Sequence, residues 1–171
     1  PHTSVHRSTN SAIENCSITA TSCTCTSSAC RAIAEEFPEN TWECSHLGGD
    51  RFAATMLVLP EGLCYGRGDT TDSAGLVRRY LQGRLDNRFL RGRTSLPHAV
   101  QAAQYFAREQ TGEDRIDALA PLHVERGDGH ILVTLNGKAG PIEVTLEEQL
   151  SEPLLSQCHA EVAGQVRVFT C

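Results

Sequence analysis

The spacing of apolar positions changes period along the chain. Ile33 and Phe37 recur at helical spacing behind Ser27 or Ser28, which can cap, while Glu35 and Glu36 face outward and Pro38 stops the run. A helix is therefore expected from Ser28 to about Phe37. Residues 41–44 read as a strand entering a glycine-containing loop. Residues 53–59 and 63–65 are short apolar runs separated by Pro60-Glu61-Gly62, the pattern of a hairpin. Leu76, Val77, Tyr80 and Leu81 make the stripe of a second helix, which starts after Asp72 or Ser73 and ends at Gly83.

A third helix follows, with Ser95 as candidate cap, Pro97 in the first turn, Val100, Ala103, Phe106 and Ala107 as the buried stripe, and Gly112 as terminator. The period then falls to two. Residues 122–125, 130–135 and 142–146 alternate, and Gly127-Asp128-Gly129 and Asn136-Gly137 mark the turns between them. Leu154-Leu155 and Val166-Arg167-Val168-Phe169 can add one more pairing. Residues 1–29, rich in Ser, Thr and Asn, are expected to be loop with at most one short strand near Ser11-Ala12-Ile13.

This order predicts an α/β (α+β) chain: a small thioredoxin-like sandwich over residues 1–93, then a C-terminal helix plus antiparallel-strand extension over residues 94–171. A length of 171 residues suits one sizeable core or a small domain with an appendage.

Charge narrows the partners. With 21 acidic against 15 basic residues and a net charge of −6, the chain lacks the basic excess of a general nucleic-acid binder. Arginines do gather between Arg78 and Arg93, where they could meet an acidic partner or a phosphate. No apolar run reaches the length of about 18 residues that a membrane-spanning helix needs. The first residues lack the apolar centre of an export signal, so a cytoplasmic location is expected. Of the eight cysteines, Cys16, Cys23, Cys25, Cys30 and Cys44 crowd into the first quarter beside His46, which favours a metal or redox site over a disulfide scaffold.

The reactive side chains concentrate between Trp42 and Arg67. Cys44, His46 and Asp50 are possible metal donors within seven residues, with Gly48 and Gly49 allowing a tight turn. A cluster bridged by sulfide needs four protein ligands, and imidazole can replace thiolate on one iron. Cys16 and Cys25, with eight residues between them, and His46 and Asp50, with three, make two such pairs. The first pair would flank the loop before the first helix, whose N-terminal dipole suits an anionic group.

The run from Glu43 to Arg67 closely resembles the sucrase/ferredoxin-like family, a thioredoxin-like [2Fe-2S] ferredoxin. The resemblance rests on the cysteine spacing, the His46-Leu47-Gly48-Gly49-Asp50 loop with Arg51-Phe52-Ala53 after it, and the Leu59-Pro60-Glu61-Gly62-Leu63-Cys64-Tyr65-Gly66 turn. It extends through Leu90-Arg91-Gly92-Arg93 and Val100-Gln101-Ala102-Ala103, so it covers roughly residues 16 to 120. The resemblance implies a [2Fe-2S] cluster held by Cys16, Cys25, His46 and Asp50, and electron transfer without substrate chemistry. It also implies redox protein partners, either a reductase or an electron acceptor. Two departures leave alternatives open. Cys16 is followed by Ser17-Ile18-Thr19 where members carry a Cys-Thr-His-Gly run, so Cys23 can substitute for it. Asp50 stands where eukaryotic relatives have a second His, so Cys44 is a rival ligand. No carboxylate pair has the context of a glycosidase.

Each residue also has an ordinary reading. His46 can be a hydrogen-bonded loop residue, Asp50 a turn former, and Cys16 and Cys25 small buried apolar groups. Cys23 and Cys30 read as spare thiols, Cys64, Cys158 and Cys171 as structural, and Arg51 and Arg67 as solvated charge. His159 beside Cys158 is too short a pattern to carry a site. Two other functions fit the same residues: a thiol-disulfide protein using Cys23 and Cys25 or Cys25 and Cys30, and a structural zinc module or accessory subunit of a larger redox complex.

Overall fold

The computed structural model describes residues 17–21, 26–44, 47–48, 52–67, 73–155 and 161–171. In chain order its elements are β1 (Ser17–Thr21), α1 (Thr26–Glu36), β2 (Thr41–Cys44), β3 (Met56–Leu59), β4 (Leu63–Tyr65), α2 (Ser73–Leu81), β5 (Leu90–Arg93), α3 (His98–Thr111), β6 (Pro121–Arg126), β7 (His130–Gly137), β8 (Gly140–Leu150) and β9 (Arg167–Thr170). The chain is mixed α/β, with two sheets and three helices among the described residues.

The first sheet runs in the order β2-β1-β3-β4-β5. β1 and β2 are parallel, joined through α1, while β3, β4 and β5 pair antiparallel. Alternate residues of these strands point the same way. Ile18, Met56, Val58, Leu63 and Tyr65 form one buried face, on which Ile33 of α1 and Leu76, Val77 and Tyr80 of α2 pack. The second sheet is antiparallel in the order β6-β7-β8-β9. Ile131, Val133, Leu135, Val144 and Leu146 bury one side of it against Ala99, Val100, Ala103 and Ala107 of α3.

Two strands depart from the expectations. Residues 17–21 were expected to be loop and are instead β1, in the interior of the first sheet. The physical reason is that Ser17-Ile18-Thr19-Ala20-Thr21 alternates only weakly, with Ile18, none of its surface exposed, as its one large apolar residue in a Ser/Thr-rich stretch that reads as loop. β5 was not expected as a strand, and its single buried position is Gly92, which carries no hydrophobic signal. The possible strand at Ser11-Ala12-Ile13 lies outside the described residues. α3 also starts differently from its reading: Pro97, at φ −59° and ψ 148°, occupies the cap position and no side chain caps the helix. Gly112, at φ 69°, closes the helix as expected, its N–H donating to the Arg108 carbonyl at 2.8 Å. No helix among the described residues is long and apolar enough to cross a membrane.

Candidate metal centre

The parallel pair β1 and β2 sets the stage. Their register runs from Ile18 opposite Thr41 to Thr21 opposite Cys44, so both strands end at the same edge of the sheet. α1 returns the chain between them and is tied to the start of β2 by the Thr41 hydroxyl, which donates to the Phe37 carbonyl at 2.7 Å. On the buried side of α1 lies Cys30, next to Glu43 and Cys44 of β2. Burial pushes the Cys30 thiol up, and the negative charges of Glu43 and Cys44 push it in the same direction.

The glycine loop rejoins the body at Phe52. The Arg67 N–H donates to the Phe52 carbonyl at 2.7 Å, and the Gly66 N–H donates to the Phe89 carbonyl at 2.9 Å. A Cβ at Gly66 would stand 2.8 Å from the Phe52 Cβ and 3.0 Å from its carbonyl oxygen, so the end of β4 can approach this closely only as glycine. The Arg67 guanidinium lies 5.6 Å from the centre of the Phe52 ring and that of Arg91 lies 4.9 Å from it. Both distances are within cation–π range.

The matched turn is explained by the same hairpin. Leu63 and Tyr65 point into the core, while Cys64 faces the other side, half-buried, opposite Gly92 of β5. Burial pushes the Cys64 thiol up, and the Arg91 charge partly offsets this. At the far end, the Gly62 carbonyl accepts the Thr94 N–H at 2.8 Å, and a Cβ on Gly62 would run into the Thr94 hydroxyl. A Cβ on Gly92 would likewise overlap the Gln101 carboxamide of α3, whose nitrogen donates to the Leu96 carbonyl at 2.6 Å. The Arg-Gly-Arg and Val-Gln-Ala blocks are thus two halves of one contact.

The four expected ligands, Cys16, Cys25, His46 and Asp50, lie outside the described residues, as do Cys23, Arg51, Cys158 and His159. Cys44 is described at the last position of β2. Among the described residues no three His, Cys, Asp or Glu side chains gather closely enough to hold a metal. The arginine pair on Phe52 escaped the sequence reading, although the Arg-Phe-Ala and Tyr-Gly-Arg triplets that form it both stood in the matched run. Comparison with family models, with curated proteins and with solved structures returned no match.

Proposed function

We propose that this chain is an electron carrier holding a [2Fe-2S] cluster on a thioredoxin-like sheet, with thiolates from the segment after β1 and imidazole from the segment after β2. The observation that carries this reading is the register that sets Thr21 beside Cys44. Residues 22–25 and 45–51 leave from those adjacent strand ends, the first bearing Cys23 and Cys25 and the second His46 and Asp50. A strand order in which the first two strands are parallel and the third is antiparallel to both supports the sandwich expected from the sequence.

The donor chemistry fits the group. Thiolate and imidazole suit iron in a sulfide-bridged cluster. The anionic cluster gains from α1, an 11-residue helix whose first residue, Thr26, directly follows Cys25. When bound, the cluster takes up and passes on one electron at a potential set by its ligands, hydrogen bonds and exposure. The chain's own part is described on either side of residues 45–51: Phe52 is held by the Arg67 N–H, and the start of β2 is anchored by Thr41. Strand length bears on which thiolates serve. At about 3.3 Å per residue, the five-residue β1 separates its ends by roughly 13 Å. Cys16 adjoins the start of that strand and Cys23 follows its end, so the strand favours Cys23 with Cys25 over Cys16 with Cys25.

The raised affinity of Cys30 for its proton argues against Cys30 as the attacking thiol of a thiol-disulfide protein, because an attacking thiol needs the opposite shift. Iron and acid-labile sulfide, measured per chain on anaerobically purified protein, test the proposal. Equal amounts of both are expected, lost in Cys25→Ser and His46→Ala. Cys23→Ser should remove the cluster and Cys16→Ser should spare it. Zinc without sulfide would replace this reading with a structural metal module.

A further inference from the structure

β6 is an edge of the second sheet: among the described strands it pairs with β7 alone, and all six of its residues are exposed. The Gly127 N–H donates to the His130 carbonyl at 3.0 Å, and Glu125 and His123 follow in the same phase of the antiparallel register, opposite Leu132 and Thr134. Backbone groups alternate between the two sides of a strand, so Val124 and Arg126 turn their N–H and C=O to the open edge. Val124 projects to the same side as its neighbour Val133, which is fully buried under α3, yet Val124 is 41% exposed and Leu122 is 56% exposed. α3 packs on β7 and β8 and leaves these two side chains of β6 open. An unpaired edge that also carries open apolar side chains is a template for another strand.

The sequence of this edge selects which strand. Two copies of β6 placed antiparallel about a two-fold axis at Val124 set Val124 against itself, Leu122 against the partner's Arg126 and His123 against the partner's Glu125. In that register the outward backbone groups of one copy meet those of the other. An imidazole and a carboxylate face each other twice, and Leu122 meets the stem of an arginine whose guanidinium is turned to Glu148 at 3.6 Å. The neighbouring registers lose this match. An axis at Glu125 opposes two like carboxylates, while an axis at His123 opposes two imidazoles and carries the pairing into the irregularity between Pro121 and His123. We propose that this chain associates with a second copy of itself through β6, joining two four-stranded sheets into one of eight strands. The paired stretch is short, bounded by Pro121 and Gly127, so the contact is small and the association depends on concentration.

Sedimentation equilibrium of the full chain tests this, with reductant present so that the exposed Cys171 does not link copies. Native protein should pass from monomer to dimer as its concentration rises. Val124→Pro removes an outward N–H without taking a bond from the β6–β7 ladder, and should shift the equilibrium to monomer while the melting temperature stays near native. His123→Glu sets like charges opposite each other twice and should weaken the dimer about five-fold. Adding Glu125→Lys to that variant should restore association, because the axis at Val124 makes the two positions face each other. Val168→Lys, on β9 at the opposite edge of the sheet, should leave the dimer unchanged. A chain that stays monomeric at about 1 mM would overturn the proposal, as would a dimer that Val124→Pro leaves intact or that Val168→Lys removes. Failure of Glu125→Lys to rescue His123→Glu would overturn it independently of how well the proline variant folds.

Discussion

At the scale of single residues, Gly92 shows how one missing side chain joins two parts of the chain. Its φ of 134° lies where L side chains are strained, and the Gln101 carboxamide fills the space a Cβ would occupy. Gly92→Ala therefore meets both backbone strain and a clash, and should cost about 2–4 kcal/mol in urea denaturation. Adding Gln101→Ala relieves only the clash. The double variant should recover part of the loss but remain below native, a coupling that a double-mutant cycle reads directly. Additive effects would mean that α3 does not rest on β5 through this contact. The glycine was visible in the sequence as part of a matched block, but the residue it leaves room for was not, because that partner is nine positions away on another element.

Among elements, the legible ones were those with a repeating face. α1, α2 and α3 each present apolar residues at helical spacing, and β7 and β8 alternate because only one of their sides meets α3. β1 and β5 were not legible, since one has Ile18 as its only large apolar residue among Ser, Thr and Ala, and a glycine occupies the buried position of the other. For the candidate site, the expected donors lie outside the described residues, and what the sequence did not offer is the pairing of β1 with β2 that sets Thr21 beside Cys44. The delivery of β5 depends on a turn whose chemistry is also titratable. Asp86 accepts from the Arg88 N–H at 3.1 Å and from its guanidinium at 2.9 and 2.6 Å, and its own carbonyl receives Leu90 at 3.1 Å. The side-chain bonds from Arg88 hold the Asp86 carboxyl below its ordinary range, against the opposing effect of burial. A lowered folded-state pKa means that this turn contributes its stability above the ordinary carboxylate pKa of about 4, and loses it as pH falls from there through the depressed value. Asp86→Asn should be less stable than native at pH 7, and the gap should close on acidification below about pH 4 when melting temperatures are compared. A gap that stays constant with pH would assign the loss to packing instead.

For the whole molecule, the decisive segment is the one after α3, because it is bonded to both cores. Leu85 donates to the Asp114 carbonyl at 2.8 Å and Ile116 donates to the Gly83 carbonyl at 2.9 Å, while Arg84 pairs with Asp114 at 2.6 Å. Ile116 itself packs against the first core. The other end of this stitch is Arg108 of α3, only 5% exposed. Its Nη1 donates to the carbonyls of Glu113 at 2.9 Å and Arg115 at 3.1 Å, and its Nη2 donates to that of Ala118 at 3.4 Å. Burial opposes the Arg108 charge, yet a guanidinium stays ionised and reaches these carbonyls from two separate nitrogens, as an ammonium with one nitrogen cannot. Arg108→Ala removes the donors from all three carbonyls, and should cost about 2–4 kcal/mol. Arg108→Lys should restore little of that. The form of unfolding should change as well. With segment 113–118 released from α3, the first core loses one of its ties to the second, so the single calorimetric transition expected of the native chain should broaden in Arg108→Ala. A variant that melts in one sharp step with an unchanged ratio of calorimetric to van't Hoff enthalpy would show that the two cores are coupled through other contacts, among them Gly92 with Gln101 and Asn87 with Glu109.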